Sequence, residues 1–536
     1  MRVGYVSDER YSALCDVAVD FERDGNSVAV ARSTPTGAVD ADIAPGAYRV
    51  TLAKPGFGSK HVDIDVSERL RHQFRLISDG LAGYVWPKWV RAGDRAEFRV
   101  HSTEPYRLSL WRYGLRKEFA GLLGWFDEHG PRAVRQITPD GDYTETGVGW
   151  IMHQERPLIA PQRSGLYYFH AKSESGKFFS FPWVVAPASP QAEIAVLASS
   201  NTWNAYNNFG GRSNYINASG LPARPVINAR QDLLRYAKGG FEEWAPADQA
   251  YPLLSFERPE PGNVVPENAE PSDPIEGRMT CALAPAEWRL LAWLERENCA
   301  YDLYSDYQLH DGTLDLNAHK LLIISTHPEY WSRAMYGRVK QWVFERGGRL
   351  MYLGGNGLNC EVELPDASTM SCRTHLLSRN GSLGMIDPKD PSKVYESRFH
   401  RTVECEANLL GVVTTETGIM TAAPYRVVDA SHWAFAGTSL RADDLFGEKS
   451  LHERCFGGAS GHETDKMSGY SPRETALLAK GTNPDNGGAE MVCYELPSGG
   501  AVFSVGSITY PASLLVDDAI SAITRNVIRR FLRRDR

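Results

Sequence analysis

None of the eight cysteines (15, 281, 299, 360, 372, 405, 455 and 493) forms a Cys-x-x-Cys pair, which argues against a zinc ribbon or a dithiol redox motif and makes reduced thiols the expectation. No apolar run approaches the roughly 20 residues of a membrane helix. The opening residues, Met1-Arg-Val-Gly-Tyr-Val-Ser-Asp-Glu-Arg10, lack an apolar core of signal-peptide length, so a cytoplasmic chain with no membrane partner is expected. Positive charge is not in excess. The formal net charge is −8 with 23% charged residues, so nothing suggests a phosphate-neutralising surface or a nucleic-acid partner. Internal repeats and low-complexity tracts are also missing. What is plentiful is aromatic: 13 Trp and 24 Tyr. Most of these belong in cores, but a phenol oxygen is also a ligand for a hard metal ion.

At 536 residues the chain exceeds what one hydrophobic core sustains, and about two to four domains are expected. Between residues 12 and 77, short alternating runs such as Val17-Ala-Val-Asp-Phe21 and Tyr48-Arg-Val-Thr-Leu52 are separated by Gly, Asp, Asn and Pro. They predict a small β-sandwich over 1–78, and Pro45-Gly-Ala-Tyr48 resembles the carboxypeptidase-regulatory type. Longer, more aromatic strands (Tyr106-Arg-Leu-Ser-Leu-Trp111, Gly165-Leu-Tyr-Tyr-Phe-His170) predict an immunoglobulin-like sandwich over 79–188, closed by the proline-bearing linker Ala186-Pro-Ala-Ser-Pro190. From 191 to 536 apolar strands alternate with helical patterns, which predicts a doubly wound parallel sheet. Stretches at about 210–280 and 359–480 interrupt the pattern as long insertions, which usually cover a site.

The strand ends carry the chemistry. Lys320-Leu-Leu-Ile-Ile-Ser-Thr326 is a continuous apolar and β-branched run that stops at His327-Pro328-Glu329-Tyr330-Trp331. Such a run suits a central parallel strand, whose carboxyl end is where open α/β sheets bind ligands. His327 and Glu329 share a side if the extended geometry persists, and are otherwise a loop His and Glu ahead of the next helix. After Ile194-Ala-Val-Leu-Ala198 comes Asn201-Thr-Trp-Asn-Ala-Tyr206-Asn-Asn-Phe-Gly210-Gly211, poor material for a core and good material for a binding wall. The turn Gly354-Gly-Asn-Gly357 sits where a nucleophile elbow would be, yet its central residue is Asn356. With no Ser or Cys there, a covalent hydrolase mechanism lacks its nucleophile. The glycines serve either a polar site residue or simply a tight turn.

Three motifs in order, around Tyr206, around His327 and Glu329, and Tyr352-Leu-Gly-Gly-Asn356-Gly, resemble the large (beta) subunit of N,N-dimethylformamidase and its homologues over roughly residues 80–536. The resemblance implies a glutamine-amidotransferase-like α/β part without a catalytic thiol. It also implies an amidohydrolase with a mononuclear iron, Fe(III), held by two tyrosines and a glutamate. By this resemblance Glu329 and Tyr206 are ligands. The second tyrosine follows a Ser-Gly pair, here Ser164-Gly165, which makes it Tyr167, with Tyr168 the alternative on the opposite strand face. His327 becomes a proton shuttle or water orienter, Asn356 an oxyanion donor, and Glu463 the late acidic residue for general acid/base work, or else a solvated loop carboxylate.

The implied site is chemically coherent. Fe(III) is a hard acid that favours anionic oxygen ligands and drives phenols to ionise although their free pKa is about 10. The implied reaction is hydrolysis of the C–N bond of a small amide, N-alkylated amides included, by a homo-oligomer with or without a separate small subunit. Two departures from the family stand out: the short 1–78 module in place of a larger lectin-like region, and the 210–280 insertion. The alternatives are a non-catalytic or carbohydrate-binding β-sandwich protein with a degenerate α/β part, and a hydrolase using another metal.

Overall fold

The computed structural model describes residues 1–152, 157–227, 251–274, 280–373, 385–415 and 417–533. The chain is rich in β-structure, and its helices are few. At the N-terminus a four-stranded sheet (Ala18–Arg23, Asn26–Arg32, Gly46–Ala53, Lys60–Val66) faces a three-stranded one that includes Arg2–Ser7. Between them Val19, Phe21, Val50, Leu52 and Phe74 are buried. The next region stacks a five-stranded sheet on a three-stranded one. Its core is aromatic, with Phe169, Phe181 and Trp183 packed together.

The largest sheet has nine strands. In spatial order they are Tyr301–Ser305, Ile194–Ala198, Leu321–Thr326, Arg349–Gly354, Ala501–Ser504, Glu490–Glu495, Ala476–Gly481, Tyr425–Val427 and Leu445–Phe446. The first five are mutually parallel, and the last four join antiparallel. The sheet is therefore mixed, not wholly parallel as expected. Part of the difference lies in 359–480, from which three short strands enter the sheet, so the stretch is only in part an insertion. The 210–280 stretch is described only outside 228–250 and 275–279.

Helices cover both faces. Ala284–Arg296 and Asp518–Leu532 belong to one buried cluster, and Arg333–Arg346 to the other. Leu321–Thr326 lies between them and is buried along its whole length, as its unbroken apolar character demands. Ser332 caps the helix that follows by accepting from the Met335 N–H at 3.2 Å, and Gly347 ends it in the left-handed region at φ 73°. Among the described residues no helix is long and apolar enough to cross a membrane. The eight cysteines form no disulfide.

Candidate active site

The carboxyl ends of three adjacent parallel strands, Ile194–Ala198, Leu321–Thr326 and Arg349–Gly354, deliver Tyr206, His327 with Glu329, and Asn356 respectively. Each of two such segments turns through a backbone conformation that L-residues rarely adopt: Thr326 has φ 63° and Asn356 φ 51°, and His462, just before Glu463, has φ 67°. Strain of this kind persists only where the surroundings enforce it. One enforcing contact is at Gly355, where a Cβ would lie 2.4 Å from the Glu463 carbonyl oxygen. Only glycine lets the Asn356 turn and the Glu463 loop approach so closely.

Glu329 is the hub. Its Oε2 accepts from the Tyr206 hydroxyl at 3.2 Å and the Tyr215 hydroxyl at 2.8 Å, and lies 3.2 Å from His327 Nε2. Its Oε1 meets Arg398 Nη1 at 3.3 Å. The Glu329 amide donates to Thr202 Oγ1 at 3.2 Å, which ties this segment to the short Ser200–Tyr206 helix. Burial would raise the Glu329 pKa, but the hydrogen bond from His327, with Arg398 and Tyr215 beside it, outweighs burial and holds it below the ordinary carboxylate value. His327 shows the converse. Burial favours the neutral ring, yet hydrogen bonds to Glu329 and Glu463, the latter also at 3.2 Å from Nε2, raise its pKa above the ordinary imidazole value. With no metal bound, the two carboxylates favour the protonated ring. Burial and the Glu329 charge push both Tyr206 and Tyr215 well above the ordinary phenol range.

Asn356 is held by its amide oxygen. Thr414 Oγ1 donates to Oδ1 at 3.0 Å and Asn359 Nδ2 donates there as well. That leaves Nδ2 to point at Glu463 Oε2, 2.8 Å away. The Asn356 backbone N–H is anchored on Asp465 Oδ1 at 2.9 Å. Burial raises Asp465 to about 6, against the hydrogen bonds from Tyr352, Asn356 and Thr414.

The expected residues Tyr206, His327, Glu329, Asn356 and Glu463 thus come together. Tyr167 does not join them. Its hydroxyl donates to the Arg163 carbonyl at 2.8 Å and its ring packs edge-on to Trp183 inside the sandwich core. Tyr168 stacks on Tyr113 at 4.3 Å with its hydroxyl unpartnered. The alternation of the Gly165–Ser173 strand sends the two rings to opposite faces of the sandwich sheet, and neither is hydrogen-bonded to Glu329. The position beside Glu329 is taken by Tyr215, whose ring lies 4.3 Å from that of Tyr206. Tyr330 donates to the Tyr215 hydroxyl at 2.6 Å and accepts from Asn214 at 2.8 Å. The sequence marks only the turn before Tyr215, Gly210-Gly211, and not the tyrosine itself. At φ 104° and 91° these glycines turn the chain back on Tyr206, and a Cβ on either would lie 2.3 Å from a side-chain carbon, of Thr144 and Tyr11 respectively.

Two phenol oxygens and a carboxylate, converging in a buried place, form an all-oxygen donor set that suits a hard, highly charged cation. Tyr206, Tyr215 and Glu329 could hold it. A second cluster lies behind Glu463, where ligand-type atoms of Cys281, His452 and His462 fall within 4.8 Å of one another. Its histidines are engaged otherwise. His452 Nδ1 accepts the backbone N–H groups of Arg454 and Cys455 at 3.2 and 3.0 Å, and His462 Nε2 accepts from Arg454 Nη1 at 3.3 Å. These contacts brace the turn leading to Glu463.

A family model described as "N,N-dimethylformamidase beta subunit-like, C-terminal" matches residues 123–522. The beta subunits of N,N-dimethylformamidase from Paracoccus aminophilus and from Alcaligenes sp are each 24% identical over 291 residues, covering 46% of this chain and 37% of the relative. The chain thus spans little more than a third of the length of the curated relatives it matches. Among solved structures, the Bacillus anthracis TIE protein is 11% identical, with a TM-score of 0.13 and coverage of 37% of this chain and 35% of that one. Invasin, a bacterial integrin-binding protein, is 10% identical with a TM-score of 0.12, covering 36% and 40% respectively.

Proposed function

The chain belongs to the N,N-dimethylformamidase beta subunit-like family, and on that premise we propose that it is an iron-dependent amidohydrolase cleaving the C–N bond of a small amide, N-alkylated amides included. The observation that carries this reading is the convergence of the Tyr206 and Tyr215 hydroxyls and His327 on one carboxylate oxygen of Glu329. Tyr206, Tyr215 and Glu329 are the proposed ligands of a mononuclear Fe(III). When bound, such an ion supplies Lewis-acid polarisation of a carbonyl and lowers the pKa of a water it holds.

The remaining steps fall to side chains. Asn356, its amide oxygen occupied by Thr414 and Asn359, presents Nδ2 as a hydrogen-bond donor to the oxyanion that develops on the amide carbonyl. His327, with Nε2 3.2 Å from both Glu329 and Glu463, orients the attacking water. Glu463 is the proton acceptor, with 18% of its side chain exposed where those of His327 and Glu329 are 1% exposed. It takes the proton of the water and returns one to the departing amine nitrogen, and the products are a carboxylic acid and an amine.

The five parallel strands are the part for which a glutamine-amidotransferase-like fold is proposed, with Asn356 in the elbow position. The name "beta subunit" of the relatives supports assembly with another subunit, and a homo-oligomer with or without a small partner subunit is proposed. Eight cysteines without a disulfide support a reducing, cytoplasmic setting. The test is a hydrolysis screen of iron-loaded protein against formamides, acetamides and their N-methyl derivatives, scored by amine release. Turnover that disappears in Glu463→Gln supports the reading, and no release from any amide by fully iron-loaded protein refutes it.

A further inference from the structure

We infer that Arg398 is a positioning residue that presents Glu329 to its metal through one oxygen only, and thereby sets how tightly the centre holds the ion. This rests on the reading of Tyr206, Tyr215 and Glu329 as ligands. The two oxygens of Glu329 are sorted: Oε1 faces Arg398 Nη1 at 3.3 Å, while Oε2 alone faces both phenols and His327. The guanidinium cannot give up its proton and its donors are fixed in a plane, so its hold on Oε1 does not depend on pH. Removing it would free the carboxylate to rotate about its last bond and offer either oxygen, or both.

Arg398 is itself immobilised. Its side chain is 8% exposed, Nη2 is paired with Glu396, and its backbone N–H donates to Asn359 Oδ1 at 3.1 Å. Asn359 in turn donates to Asn356 Oδ1. One side chain therefore links the residue that orients the metal-binding carboxylate to the residue proposed as oxyanion donor. Hydrogen-bond partners of ligating groups fix ligand orientation, and their loss typically costs about 10- to 100-fold in metal affinity.

The experiment compares full-length wild type, Arg398→Met and Arg398→Lys by competition for iron with a chelator, by the tyrosinate-to-iron absorption band, and by melting of the metal-free proteins. Arg398→Met is expected to lose about 10- to 100-fold in iron affinity and to shift the band. Arg398→Lys should recover part of the affinity through its charge while the band stays displaced, because an ammonium does not reproduce the planar contact. Affinity and band equal to wild type in a folded Arg398→Met overturn the inference and leave the ligand assignment intact. If Arg398→Met does not fold, wild-type affinity and band in Arg398→Lys overturn it equally. A wild type that binds no iron removes the ligand assignment and this inference together.

Discussion

Tyr206 and Tyr215 lie ring to ring at 4.3 Å with their planes inclined by 35°, and both hydroxyls end on the same carboxylate oxygen of Glu329. With no metal bound the two hydroxyls satisfy the buried carboxylate as hydrogen-bond donors, and burial with the Glu329 charge opposes ionisation of either ring. A cation that replaces the phenolic protons would turn this convergence into coordination.

Asn356→Ala should lower kcat by about 100- to 1000-fold with metal content unchanged, the usual cost of one oxyanion donor. Steady-state kinetics on whichever amide the hydrolysis screen identifies, with metal analysis alongside, checks this. A raised KM at unchanged kcat would assign Asn356 to ground-state binding instead.

Glu287 gives a pH-dependent prediction for the metal-free protein. Burial lifts its pKa to about 8, against the opposing hydrogen bonds from Trp203 and Ser199. The folded chain therefore keeps a proton that an unfolded carboxyl releases near pH ~4.3. This stabilisation is complete below the unfolded value and is lost as the pH rises through about 8. Relative to Glu287→Gln, wild type should lose up to about 4 kcal/mol between pH 5 and pH 9. Melting curves of the two proteins measure it, and a constant Tm difference across that range would contradict it.

The N-terminal sandwich should matter to the metal. Arg75, fully buried, donates to the Gly210 carbonyl at 2.9 Å and to the Tyr143 hydroxyl at 3.2 Å, and Gly210 N–H donates to the Glu9 carbonyl at 2.7 Å. Those contacts hold the turn that carries Tyr215. Arg75→Met is expected to increase hydrogen exchange in peptides covering 206–216 and to lower iron occupancy. Faster exchange confined to residues 1–78 would show that the module does not brace the site.

Much of this was legible locally. The Leu321–Thr326 strand announced itself as an apolar run cut off by His327 and Glu329, and the Asn356 turn by its glycines. Tyr215 was not, because its approach to Tyr206 depends on a turn whose fit is set by Tyr11 and Thr144, far away in the chain. The Ser164-Gly165 pair drew attention to Tyr167, whose side of its strand faces a sandwich core. Arg398 stands in no local pattern at all. The antiparallel half of the large sheet has little signature in the sequence because two of its strands, Tyr425–Val427 and Leu445–Phe446, span only 3 and 2 residues, too short for alternation to register.

The most direct test of the proposed centre is visible absorption of iron-loaded protein in four single variants. A tyrosinate-to-Fe(III) band should be present in wild type and Tyr167→Phe, weakened or shifted in Tyr206→Phe and Tyr215→Phe, and absent in Glu329→Ala. A band that survives unchanged in Tyr215→Phe and is lost in Tyr167→Phe would contradict the assignment.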